Sequence, residues 1–221
     1  MMNRRNILLS GAAAALTFAA APRALQLGFP TALAQGAGAA VLEVTEDDRV
    51  LGEADAPVTI IEYASTTCSH CASFHEDVLP TVKQDWIDEG RARLVLRHFV
   101  LNQLDLRASM VAQCLEGRRY FGFMDILFRS QREWAVNDGE KALSTLQRLA
   151  GTVGIDEERF QSCITDEAAA NRLLEKMAAA RDAFDVSSTP TFLINGEKVT
   201  GVLPTEEFVK VLQEAEGTAE S

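Results

Sequence analysis

Cys68-Ser69-His70-Cys71 places two thiols three positions apart, straight after the β-branched run Val58-Thr59-Ile60-Ile61-Glu62-Tyr63. If a helix begins at the first thiol, unpaired backbone N–H groups and the positive end of the helix dipole face its sulfur and favour the thiolate. The thiolate is the form that attacks disulfides and departs readily from them. A second cysteine about one turn on is within bonding reach of the first. By itself the pair has three readings: a redox centre, half of a zinc site, or an inert structural disulfide. Cys68, Cys71 and His75 form a C-x-x-C-x-x-x-H pattern that could supply three zinc ligands, but no second close Cys/His pair completes the set. A pair at a helix start, after a strand and inside a β-α-β pattern, reads instead as a thioredoxin-like redox site.

The elements that must hold this pair are legible on both sides. Pro57 opens the strand that ends near Tyr63. From about 69 to 87, Cys71, Phe74, His75 and Val78 recur at helical spacing, and Pro80 is expected to kink or break that helix. Residues 91–100 form a second strand centred on Leu94-Val95-Leu96, so the unit predicts a right-handed parallel crossover. No proline occurs from 81 to 189, and the pattern predicts helices near 105–116, 119–133, 140–151, 156–164 and 166–184. Strands return at 191–194 and 197–200 around Asn195-Gly196, a strong hairpin signal, and Pro204 opens a last helix to about 216. The order is β-α-β, helical block, β-β-α, with no internal repeat.

The first 34 residues read as an export signal, with Arg4 and Arg5 followed by an apolar run from Ile7 to Ala21 and a cleavage site at Ala32-Leu33-Ala34 before Gln35. The paired arginines resemble a twin-arginine signal. Residues 35–56 read as an extension with one short strand at Ala40–Val44. The net charge of −11 becomes three units more acidic once Arg4, Arg5 and Arg23 are removed. Such a chain is a poor candidate for nucleic acid or an anionic lipid surface. Export implies an oxidising compartment, where four cysteines pair naturally as Cys68/Cys71 and Cys114/Cys163.

The segment from Glu62 to Cys71, with Phe74-His75 following, resembles the active site of the DsbA-like family of periplasmic thiol:disulfide oxidoreductases. Ser188-Thr189-Pro190-Thr191-Phe192 resembles that family's cis-proline loop, and the helical block resembles its insertion. The resemblance spans roughly 50–217. It implies an α/β thioredoxin-like fold with an all-helical insertion between the second and third core strands. The parts would be a first thioredoxin half at 57–100, the insertion at 101–185, a second half at 186–217 and a tail at 218–221.

The resemblance also implies roles. Cys68 would form the mixed disulfide, Cys71 would resolve it, and His70 would stabilise the Cys68 thiolate. Thr189, beside cis Pro190, and Ser69 would meet the substrate. Glu62, a carboxylate in an apolar strand, would exchange a proton with Cys71; an acid at a solvated strand end is the plainer alternative. His75 reads as a packed core histidine and His98 has no assigned role. The aromatic stretch Tyr120 to Phe128 reads as core. Some family members bridge two further cysteines, as Cys114 and Cys163 would. Expected clients are unfolded or reduced exported proteins, with a quinone-linked membrane partner, a monomeric enzyme, and no metal or organic cofactor. The alternatives are a disulfide isomerase or reductase, for which about 20 residues before the fold leave too little for a dimerisation domain, and a chaperone-like polypeptide-binding module.

Overall fold

A computed structural model describes residues 31–219, with side chains from 36 onward. The fold described is that of the compact unit Ala32–Ser221. The export-signal residues up to 30 lie outside the described residues, and the expected cleavage point at Ala34 falls within the helix α1, Thr31–Leu42.

Five strands form one mixed sheet in the order β1-β3-β2-β4-β5. β2 (Val58–Ala64) and β3 (Ala92–His98) run parallel at its centre, each with nearly every residue buried, as strands covered on both faces must be. β4 (Thr191–Ile194) pairs antiparallel with β2 and continues into β5 (Glu197–Thr200). The hairpin turn uses Asn195 and Gly196, both at positive φ, as the Asn-Gly signal requires. β1 (Arg49–Leu51) pairs antiparallel with β3 at the other side. The last helix, Thr205–Ala219, buries Phe208 and Leu212.

Two sequence expectations fail at the N-terminal side. The short strand expected at Ala40–Val44 is helical through Leu42: in an alanine-rich stretch helix propensity prevails, and Val41 buries on the sheet. β1, inside the supposed extension, was not expected, because three residues carry no alternation to read. Tertiary bonds fix it there. Buried Arg97 donates to Asp48 at 2.8 and 3.0 Å, to the Tyr63 hydroxyl at 3.1 Å, to Glu43 O at 2.7 Å and to Val41 O.

Pro80 does not break its helix. The run 69–87, here α2, contains two π turns, Phe74–Val78 and Lys83–Ile87. Leu79 N–H reaches back five residues to Phe74 O, so the turn is already widened where proline supplies no donor.

Beyond β3 come six helices: α3 (Gln103–Gln113), α4 (Gly117–Arg129), α5 (Gln131–Trp134), α6 (Gly139–Thr152), α7 (Glu157–Ile164) and α8 (Glu167–Phe184). Four of their starts are capped by short acceptors: Asn102, Asp138, Asp156 and Asp166 each take the backbone N–H three residues on. Tyr120, Phe123, Leu127, Phe128, Trp134, Leu146 and Phe160 form their common core, which extends to Ala64, Leu96 and Cys71. Cys114 and Cys163 are disulfide-bonded, with Cα atoms 6.2 Å apart, tying the end of α3 to α7. Phe74, Val78, Val82, Trp86, Phe192 and Phe208 fill one face of the sheet, and Ile61, Tyr63, Val95 and Leu193 the other. Cys71 therefore stands where sheet, α2 and helical block meet.

Candidate active site

β2 ends at Ala64, and Ser65-Thr66-Thr67 turn the chain into α2. Cys68 keeps an extended backbone (φ −85, ψ 121) and occupies the N-cap position without capping through its side chain. Cys71 falls in the first turn. Both thiols are free; Cys68 is partly exposed and Cys71 fully buried. One turn of helix thus puts one sulfur at the surface and the other in the core.

That difference in depth separates their acidities. The Cys71 thiol hydrogen-bonds the Cys68 sulfur, and the Thr189 side chain and the backbone N–H groups of Cys71 and His70 add to it. Together they outweigh the burial penalty and hold the Cys68 thiol down at about 5. Burial pushes the Cys71 thiol far up, helped by its bond to Cys68 and by the negative charge of Glu62. Cys68 is poised as thiolate while Cys71 keeps its proton. His70 and Ser69 are exposed on the first turn, and among the described residues neither side chain has a bonding partner. His70 reaches the sulfur through its backbone N–H.

The Thr189-Pro190 peptide is cis, and Cys68 Sγ lies 3.4 Å from Thr189 O. Thr191 Oγ1 donates to Ser188 O at 2.8 Å, and Gly201 N donates to Pro190 O at 2.9 Å, which anchors this loop to the hairpin. Residues 121 positions apart in sequence thus form one rim of the site.

Three side chains from the helical block hold the active-site loop. Asp105, fully buried, accepts from Thr66 N at 2.8 Å, Thr66 Oγ1 at 2.5 Å and Leu101 N at 2.9 Å; burial raises its carboxyl although these donors pull it down. Asn102 Nδ2 donates to Thr67 Oγ1, and Gln131 Nε2 donates to both Thr66 O and Cys68 O. Sequence reasoning missed all three. Asn102 and Asp105 carry the spacing of a helix start, a signal that speaks of capping and not of a distant loop.

Glu62 has no exposed surface, so it is not an acid at a solvated strand end. Its oxygens lie 3.0 and 3.2 Å from His75 Nε2, and the His75 ring stacks on Phe128 with centroids 4.1 Å apart. His75 is buried as expected of a core histidine, yet it faces a carboxylate. Its position four residues after Cys71, on one helical face, is the signal that could have pointed there. His98 is buried, bonds Tyr120 through Nε2 at 3.0 Å, and is pushed down to about 3 by burial and then by Arg49. Among the described residues no cluster of three or more His, Cys, Asp or Glu is placed to hold a metal ion, and no helix is long and apolar enough to cross a membrane. A cavity of about 120 Å³ among Asp48, Arg97, His98 and Lys176 has neither thiol in its lining.

Comparison with known proteins gives the same setting. The thioredoxin family model matches residues 44–214. The crystal structure of alpha-DsbA1 from Wolbachia pipientis is 31% identical, with 81% of this chain and 96% of that one covered, at a TM-score of 0.76. A Rickettsia bellii chain named as a protein-disulfide oxidoreductase is 32% identical over 155 residues, which cover 70% of this chain and 59% of that one. The chain thus spans about 59% of the length of that curated relative. Disulfide bond formation protein D of Bacillus subtilis is 26% identical, covering 74% of this chain and 75% of its own.

Proposed function

The chain belongs to the thioredoxin family, in its DsbA-like branch, and from that premise we propose that it is an exported dithiol–disulfide oxidoreductase working as an oxidase. The observation that carries the direction is the split between the two thiols, Cys68 held at about 5 and Cys71 pushed up. A stabilised Cys68 thiolate stabilises the reduced enzyme, and so makes the Cys68–Cys71 disulfide oxidising. In the oxidised enzyme a client thiolate attacks Cys68 Sγ, and Cys71 leaves and takes up a proton, with Glu62 as the nearby carboxyl that exchanges it. A second client thiolate then attacks the client sulfur of the mixed disulfide and expels Cys68, a good leaving group because it is acidic. The client gains the disulfide and the enzyme ends as dithiol. Thr189 O and the Thr189-Pro190 edge would pair with extended client backbone, and exposed Ser69 and His70 would border it.

Clients on this reading are reduced exported polypeptides. A quinone-linked membrane partner reoxidises the enzyme in the periplasm, and the enzyme acts as a monomer. Thr189 before the cis proline keeps a reductase or isomerase as the second reading. Insulin reduction in the presence of dithiothreitol should disappear in Cys68→Ala; normal activity in that variant would sink the mechanism. The equilibrium with glutathione decides direction: a strongly oxidising potential supports the oxidase, and one near thioredoxin's, about −270 mV, the reductase.

A further inference from the structure

Proton supply to Cys71 is a problem set by its depth. The sulfur is fully buried and leaves as a thiolate that the site disfavours, yet Glu62, the carboxyl whose charge reaches it, has no contact with solvent either. His75 stands beyond that carboxyl. Its Nε2 meets both oxygens of Glu62, while stacking on Phe128 and an edge contact with Phe74 (centroids 5.5 Å) fix the ring plane. Its Nδ1 has no protein partner among the described residues. Nor is it one of the fully sealed, unpartnered polar atoms, which there are His98 Nδ1 and Ser109 Oγ. His75 as a residue is about 7% exposed, so with Nε2 on the carboxylate, Nδ1 is the nitrogen left open toward the surface. The remaining titratable groups facing the pair are Cys71 on α2 and Tyr120 on α4, with Tyr120 bonded onward to His98 of β3. β4 places uncharged Phe192 opposite Glu62, and no Lys or Arg among the described residues bonds either member.

We propose that His75 is the proton port of the resolving cysteine, connecting water to Cys71 through Glu62. The proposal rests on the exchange chemistry assigned above to Cys68 and Cys71. When a client thiolate bonds to Cys68, the Cys68–Cys71 bond breaks and its electron pair goes to Cys71. Water protonates His75 Nδ1, Nε2 passes its proton to Glu62, and the Glu62 carboxyl protonates the Cys71 sulfur. One proton enters for each disulfide opened. Reoxidation runs the same path outward, returning the proton from Cys71 to water. His75 touches neither client nor sulfur, so it is a positioning and relay residue.

Two variants test this in the full chain. His75→Phe keeps the stack on Phe128 without nitrogens, and His75→Gln keeps a donor toward Glu62 without a second ring nitrogen. The oxidised protein is mixed rapidly with excess reduced glutathione, quenched with an alkylating agent, and Cys71 alkylation is followed from pH 5 to 8. The expected result is a loss of roughly hundredfold or more in disulfide opening in both variants, with an altered pH profile, on the scale of one general acid–base group. The Cys68 thiolate titration should stay in place. A folded His75→Gln that opens its disulfide at the wild-type rate, with the wild-type pH profile, overturns the proposal. If both variants fail to fold, nitrogen NMR of labelled histidine in the wild type decides: the His75 ring signals must differ between oxidised and reduced protein, and identical signals overturn it. A wild-type protein that exchanges no disulfide with glutathione at all removes the redox reading itself, an outcome distinct from a failure of the port.

Discussion

Cys68 and Cys71 are one helical turn apart, and the same hydrogen bond between them acts in opposite directions on the two. It stabilises charge on the sulfur that accepts and the proton on the sulfur that donates. The sign for folding follows. A Cys68 thiol held at about 5 against an ordinary value of 9.0 contributes stability to the reduced protein that is fully present above pH 9 and lost as pH falls through 5. Thiolate absorbance should therefore titrate with a midpoint near 5, and Cys68→Ser should remove that transition. Opening the disulfide between pH 5 and 9 consumes one proton per two electrons. The reduction potential should fall by about 30 mV per pH unit there and by about 59 mV per unit below pH 5. A uniform slope of about 59 mV up to pH 8 would mean that Cys68 titrates normally.

Among elements, the helical block is more than a cover. Its short helix α5 sends Gln131 Nε2 to Thr66 O at 2.9 Å and Cys68 O at 3.0 Å, and α3 sends Asp105 to Thr66. These bonds fix the chain just before the cysteine, where small rotations would move the sulfur away from the N–H groups of His70 and Cys71. Gln131→Ala removes both of its bonds, at a cost of about 1–2 kcal/mol in stability. It should also raise the midpoint of the Cys68 titration while helix content by circular dichroism stays unchanged. An unchanged midpoint would show that α2 alone sets the thiolate. The π turns of α2 make a different point. They let a helix that begins at the active site continue through Pro80 and deliver Val82, Trp86 and Ile87 to the sheet core.

Across the whole molecule, two devices fasten the parts together. The Cys114–Cys163 bridge closes a span of 49 residues within the insertion, for which chain entropy gives ~4 kcal/mol. Replacing both cysteines by alanine should lower the urea midpoint accordingly and leave exchange at Cys68 intact, since the bridge is not in the active site. The second device is Asp48, which joins β1 to Arg97 of β3 and Lys176 of α8 at 2.8 Å each. Burial pushes its carboxyl up, but Arg97, Lys176 and Thr45 N–H outweigh that and hold it at about 2, below the usual 3.8. A depressed carboxyl contributes stability that is present above pH 4 and lost as pH falls toward 2. The free energy of unfolding from urea titrations should therefore drop between pH 4 and 2 by roughly 1–2 kcal/mol from this group. Asp48→Asn should be less stable at pH 6 and flatter over that acid range.

How much of this was legible follows from the range of the forces involved. The Cys68–Cys71 pair, the Asn195-Gly196 turn and the helical character of the insertion are local matters of spacing, capping and glycine placement, and the sequence alone determined them, although the helix expected at 119–133 is broken at Ser130 into α4 and α5. The order β-α-β, helices, β-β-α followed, and with it the thioredoxin-like fold. Only the tertiary structure decided that a three-residue strand at Arg49–Leu51 joins the sheet, because it pairs with Leu94–Leu96 far along the chain and Arg97 holds Asp48 just before it. It also decided that Gln131 and Asp105 grip the loop before Cys68, and that His75 faces Glu62. Hydrogen bonds between residues distant in sequence leave no periodicity behind, so no pattern within one segment could carry them.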